Sequence, residues 1–83
     1  MDNLLFESKY IGSWVKVYTN KLEFGILGSR NVIPINQIAS TQRDAFMFMQ
    51  IIIETTGGKK YTIPCWKSKE IQEAILKAQE GNV

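Results

Sequence analysis

Catalysis near neutral pH needs groups that trade protons or electron pairs, and this chain carries few of them. It has no histidine and a single cysteine, Cys65. Histidine-based acid–base chemistry and zinc sites therefore have almost no raw material. Cys65 has no second thiol to pair with and no histidine to lower its pKa, so it reads as a buried structural thiol rather than a nucleophile. Glu54 and Glu70 are lone carboxylates without a paired acid nearby in the sequence. The run Gly57-Gly58-Lys59-Lys60 is not a phosphate-binding loop. It lacks the preceding glycine at the right spacing and the Ser/Thr after lysine, and it reads as a hairpin rather than a strand-to-helix turn. No nucleophile–base pair or metal set can be assembled, so the chain is expected to be no enzyme and to use no cofactor.

Lys59, Lys60, Lys67 and Lys69 are the candidate anion contacts. They suit a phosphate or an acidic partner, and the plainer reading is a solvated rim partly matched by Glu54 and Glu73. A net charge of +2 does not by itself imply nucleic acid or an anionic membrane, which usually show as a clustered basic surface.

These residues are carried by a chain of 83, enough for one domain spanning 1–83. A chain of this size buries roughly 60–65% of its unfolded surface, so its stability is marginal unless it associates. An apolar share of 45% and a charged share of 22% are ordinary for a globular protein. The start, MDNLLFESKY, has an acid at position 2 and no long apolar core, so no secretory signal is read there. The most apolar window, 45–53, is about half the length a membrane helix needs. A cytoplasmic protein is the expectation, and a lone cysteine fits a reducing interior.

The elements are organised around 49–65, MQIIIETTGGKKYTIPC. A three-residue loop, Thr56-Gly57-Gly58, with the last glycine in the left-handed conformation, makes a bulged hairpin. Ile53 then faces Tyr61, Ile51 faces Ile63 and Met49 faces Cys65, while Glu54–Lys60 and Ile52–Thr62 fall on the other side. A two-residue loop would mix polar with apolar partners, because a one-place slip changes every facing pair.

Upstream, residues 1–9 fit a short strand, a helical turn or an edge contact. Ile11 to Leu27 alternates as a hairpin. A turn at Asn20-Lys21 sets Val17 against Phe24 and Val15 against Ile26, with Trp14, Lys16, Tyr18 and Glu23 on the opposite face. Gly28-Ser29-Arg30-Asn31 reads as a turn and Val32 to Ile35 as a strand. Pro34 lacks a donor, which places that strand at an edge or a bulge. Ile38 tucks into the core, Ala39 to Arg43 extend, and Asp44-Ala45 turn. Ser68 is the expected N-cap of a terminal helix, with Glu70 in the first turn. Ile71, Ala74, Ile75 and Ala78 form one apolar stripe, and Gly81-Asn82 stop it. About three helical turns are not stable alone in water, so the stripe must dock on the sheet.

The expected class is mainly β with one C-terminal helix, α+β by count. The strand step Asn31 to Ser40, NVIPINQIAS, with its I-P-I-x-x-I pattern, the hairpin Ile51 to Pro64 and the helix Ser68 to Gln79 together resemble the pleckstrin-homology-like fold. The resemblance is to its short bacterial members and covers roughly Tyr10 to Glu80. It implies a single domain built as a bent antiparallel barrel of six or seven strands, capped by the helix, with Leu4 to Tyr10 available as the seventh strand. Phosphoinositide-binding members carry a basic cluster across the first strand pair, where this chain offers only Lys16 and Lys21.

Two groups of apolar residues stand off the expected core faces. Phe46, Phe48 and Ile52 point outward if Met47, Met49, Ile51 and Ile53 point inward, which would make an exposed patch of the kind that marks partner surfaces. A bulge near Ala45 would instead return both phenylalanines to the core. Trp14 and Trp66 suit an interface or a lid over the core edge. The leading expectation is a non-catalytic protein–protein interaction or self-assembly module, with a protein partner or a second copy. The alternatives are binding of anionic lipid headgroups at a membrane surface and weak single-stranded nucleic-acid binding.

Overall fold

A computed structural model describes residues 3–43 and 50–81. The strands run β1 (Leu4–Tyr10), β2 (Ser13–Tyr18), β3 (Lys21–Ile26), β4 (Ser29–Pro34), β5 (Ile38–Arg43), β6 (Gln50–Thr55) and β7 (Lys60–Pro64). A 3-10 turn, Ile35–Gln37, links β4 to β5, and helix α1 (Ser68–Gly81) comes last. The fold is mainly β with one C-terminal helix. One antiparallel sheet has the order β1-β2-β3-β4 and the other the order β5-β6-β7.

The hairpin β6–β7 has the register that its alternation requires. Ile51 pairs with Ile63, Ile52 with Thr62, Ile53 with Tyr61 and Glu54 with Lys60. Gly58 takes a φ of 88°, and its N–H donates to the Thr55 carbonyl at 2.9 Å. Thr55 in turn donates to the Lys59 carbonyl at 2.9 Å, so three residues close the loop. The expected partner of Cys65, Met49, lies outside the described residues, as do the Asp44-Ala45 turn, Phe46, Met47 and Phe48.

The first hairpin differs from expectation. Val15 pairs with Phe24 and Val17 with Leu22, and the loop is Thr19-Asn20. Lys21 is a strand residue, which spares it the left-handed conformation lysine adopts poorly. Asn20 instead accepts a bond from the Ile35 N–H at 2.9 Å, and the Thr19 N–H donates to Asn3 at 3.0 Å. The pairing shifts by two places, so every side chain keeps its expected face. Residues 4–10 form a strand, paired with β2 and bulged between Leu4 and Phe6. The turn expected at Gly28–Asn31 is a two-residue one at Leu27-Gly28, and Ser29 already opens β4. Pro34 ends β4, an edge strand, where its missing donor costs no ladder bond.

The core is one cluster fed by both sheets and the helix. Val15, Val17, Leu22 and Phe24 meet Ile51, Ile53 and Ile63, with Ile33, Ile35, Ile38 and Cys65 around them. Phe24 packs edge-on against Tyr61, ring centroids 5.3 Å apart. From α1, Ile71, Ile75 and Ala78 are buried and Ala74 packs partly against them, which is the stripe the sequence spacing predicts. The first helical bond runs from the Ile71 N–H to the Lys67 carbonyl at 3.0 Å. Lys67 therefore occupies the N-cap position, and Ser68 is a buried residue of the first turn rather than the cap.

Two glutamines fasten the helix to edge strand β5. Gln72 Nε2 donates to the Thr41 carbonyl at 3.1 Å and to its hydroxyl at 3.2 Å. Gln79 Nε2, two turns on, donates to the Ile38 carbonyl at 3.1 Å. Because this core is small, single truncations should be felt sharply. Ile53→Ala should cost about 3 kcal/mol in a urea titration, whereas Val32→Ala on the exposed edge should stay within about 0.5 kcal/mol.

Candidate functional site

The outward face of the four-stranded sheet carries Glu7 and Lys9 from β1, Trp14, Lys16 and Tyr18 from β2, and Lys21, Glu23 and Gly25 from β3. Pairing places Lys9 across from Trp14, Glu7 across from Lys16, and Lys16 across from Glu23. Arg30 and Val32 of β4 complete the rows, opposite Gly25 and Glu23.

Trp14 lies flat on the sheet because Gly25 leaves room for it. A Cβ on Gly25 would stand 2.3 Å from the indole Nε1 and 2.6 Å from Cε2. Lys16 holds its Nζ 5.5 Å from the Trp14 ring centre and 3.7 Å from Glu7. Lys21 stands 5.1 Å over the Tyr18 ring. Trp14 is thus a fixed aromatic wall with a charged border.

Glu23 is only 5% exposed although it sits on this outward face. Arg30 Nη2 donates to its Oε1 at 2.6 Å, and Lys21 Nζ lies 3.5 Å from the same oxygen. The Arg30 hydrogen bond and the two neighbouring cations hold the carboxyl below its ordinary value of 4.5, against the upward push of burial. No signal in the sequence singled this residue out, because its partner is seven places away and meets it only through the β3–β4 pairing.

At one end of the sheet two turns lie side by side. Ile11-Gly12 joins β1 to β2, Leu27-Gly28 joins β3 to β4, and the Leu27 N–H donates to the Gly12 carbonyl at 2.9 Å. Ile11 is 87% exposed and Leu27 is 86% exposed. Leu27 also has a φ of 51°, the left-handed region that a side chain branched like leucine's rarely enters. Beside this end, Tyr10 packs on Trp66 with ring centroids 4.9 Å apart, and Trp66 is 47% exposed. Ser13 Oγ donates to the Pro64 carbonyl at 2.7 Å, which ties the turn end to the last strand of the other sheet. A groove of about 580 Å³ opens here, lined by residues that include Lys9, Tyr10, Trp14, Lys16, Leu27 and Gly28.

Of the residues singled out from sequence, Trp14 and Trp66 flank this end of the molecule. Ile52 is half-buried on the outward side of the other sheet, between Gln42 and Thr62, and is not part of it. Phe46 and Phe48 lie outside the described residues. The four candidate anion lysines do not converge. Lys59 and Lys60 stand at the start of β7, with Lys59 5.1 Å over the Tyr61 ring, and Lys67 and Lys69 lie beyond its other end, on the order of 15 Å along the chain. Ile11 and Leu27 were missed. Their only sequence signal is a matched pair of aliphatic-glycine doublets at turns, which hydrophobic periodicity absorbs into strand ends.

No family model matches the chain, and no curated protein matches its sequence. The geometry therefore carries the reading alone. Cys65 is buried, and burial pushes its thiol up to about 11, far from thiolate character at neutral pH. Among the described residues no group of three or more Cys, Asp or Glu side chains is placed to hold a metal ion. No helix of the described residues is long and apolar enough to cross a membrane.

Two measurements probe this face. Gly25→Ala should destabilise by about 2 kcal/mol and shift Trp14 emission to the red in a Trp66→Phe background. Adding Trp14→Ala should remove most of that cost, a coupling readable in a double-mutant cycle. For Glu23 the folded pKa lies below the unfolded one, so its contribution is complete above the unfolded value and fades as pH falls through the folded one. Glu23→Gln should therefore lower the urea midpoint at pH 7 and lower it much less at about pH 3.

Proposed function

We propose that this chain is a non-catalytic protein-binding module that docks through the paired turns at 11–12 and 27–28. One observation carries the reading. The two most exposed large apolar side chains among the described residues, Ile11 and Leu27, stand on neighbouring turns that a backbone hydrogen bond fastens together. Scattered surface aliphatics need no explanation, but two on joined turns, at the end of the sheet where Tyr10 packs on Trp66, suit a partner surface. Leucine in the left-handed conformation costs about 1 kcal/mol, and a turn of this type ordinarily takes Asn-Gly. A side chain kept at such a position at a cost in stability suits a role outside folding.

A pleckstrin-homology-like fold with barrel-like closure is part of the proposal; four and three antiparallel strands with a terminal helix over a shared core support its element order, although the two sheets share no ladder among the described residues. The absence of catalysis is part of the proposal, and a buried thiol without histidine supports it. A cytoplasmic setting fits the same lone thiol. The partner is another protein or a second copy of the chain.

Photocrosslinking tests this. A benzoylphenylalanine in place of Leu27 should give a discrete adduct in the native host, and the same group in place of Lys60 should not. Adducts in equal yield from both sites, or none at 27, would overturn the reading. Leu27→Asn should raise stability by about 1 kcal/mol in urea while weakening capture by the Ile11 side of the surface.

A further inference from the structure

We propose that the Trp14 groove receives a linear segment of the partner protein in which an apolar side chain is flanked by carboxylates. The inference rests on the docking surface described above and names the chemistry of what binds there.

The groove has a fixed apolar wall. Trp14 cannot swing toward β3, because its indole already rests on Gly25, and Leu27 also lines the groove. A volume of about 580 Å³ suits one or two inserted side chains rather than a folded surface. The border is cationic. Glu7 is engaged with Lys16 at 3.7 Å. Lys9 lies directly across from Trp14, is exposed, and its side chain has no hydrogen-bond or ion-pair partner among the described residues. Lys9 and Lys16 thus border the apolar centre, with Glu7 the one carboxylate on the same lining.

A second groove, between β1 and the helix, shows that this sign is not general. It has an apolar floor of Leu5, Phe6 and Ala74, but its rim is Glu70, Glu73 and Lys77. The Trp14 groove pairs an apolar slot with the Lys9 side chain, which no carboxylate matches among the described residues, and complementary charge is what selects partners and sets encounter rates. An anionic bilayer would use the projecting Ile11 and Leu27 and leave the recessed indole wall idle. A side chain inserted from a polypeptide uses both.

The experiment pans a display library of random peptides, about a dozen residues long, against the full chain. Enriched sequences are then synthesised for fluorescence anisotropy. The expected peptides carry an aromatic or aliphatic residue between Asp or Glu. They should bind roughly tenfold more weakly to Lys9→Glu and to Trp14→Ala, and lose affinity as salt rises. Lys9→Glu changes an exposed side chain and keeps the fold, so its result stands if Trp14→Ala proves unstable. Neutral peptides that still require Leu27 would overturn the acidic-segment proposal while leaving the docking surface in place. Acidic peptides indifferent to both Lys9→Glu and Leu27→Asn would overturn both. Failure to enrich any peptide, with Leu27-dependent binding to phosphatidylserine vesicles, would overturn the proposal in favour of a lipid surface.

Discussion

Ile51 and Ile53 are fully buried and stand across from Ile63 and Tyr61, and the rest of the molecule closes over that ladder. The constraint is period two: every second residue of β6 must meet apolar matter on the same side. The four-stranded sheet supplies it with Val15, Val17, Leu22 and Phe24, and the helix completes it with Ile71 and Ile75. A domain of this size has little apolar surface to spare, so each element is held by the others rather than by its own propensity. The burial of Cys65, and hence its inert thiol, follows from standing in this cluster.

That constraint also decided what the sequence could reveal. The β6–β7 register was legible because only one loop length keeps isoleucines against apolar partners, and Gly58 is the residue that loop needs. The helical stripe, the inward Ile38 and the edge position of Pro34 were legible for similar local reasons. The first hairpin was not. Asn20 with either neighbour makes a plausible turn, and a two-place shift leaves each face unchanged, so alternation cannot choose between them. Residues 1–9 were ambiguous because the bulge between Leu4 and Phe6 breaks the alternation that would have marked a strand. At the site, Trp14 was readable as standing off the core. Ile11 and Leu27 were not, since an aliphatic residue at a strand end looks the same whether it faces the core or water.

The proposed docking surface divides its labour between rigid and projecting parts. Trp14, Lys9 and Lys16 sit on paired strands and are fixed by register, so a bound segment would find them already in place, with little ordering cost. Ile11 and Leu27 sit on turns, where they project. The bond between the two turns keeps their separation fixed as well. Beneath, the Glu23 cluster with Arg30 and Lys21 supplies its own counter-charges on the outward face, which leaves Lys9 as the cation there without one among the described residues.

Gln72 and Gln79 give the helix a role in the chain's birth as well as in its finished form. Until residue 81 has left the ribosome, the shared core lacks Ile71, Ile75 and Ala78, and β5 lacks the glutamine donors to its carbonyls at Ile38 and Thr41. The strands can pair during synthesis, but a nascent domain without this helix keeps adhesive surface that chaperones recognise.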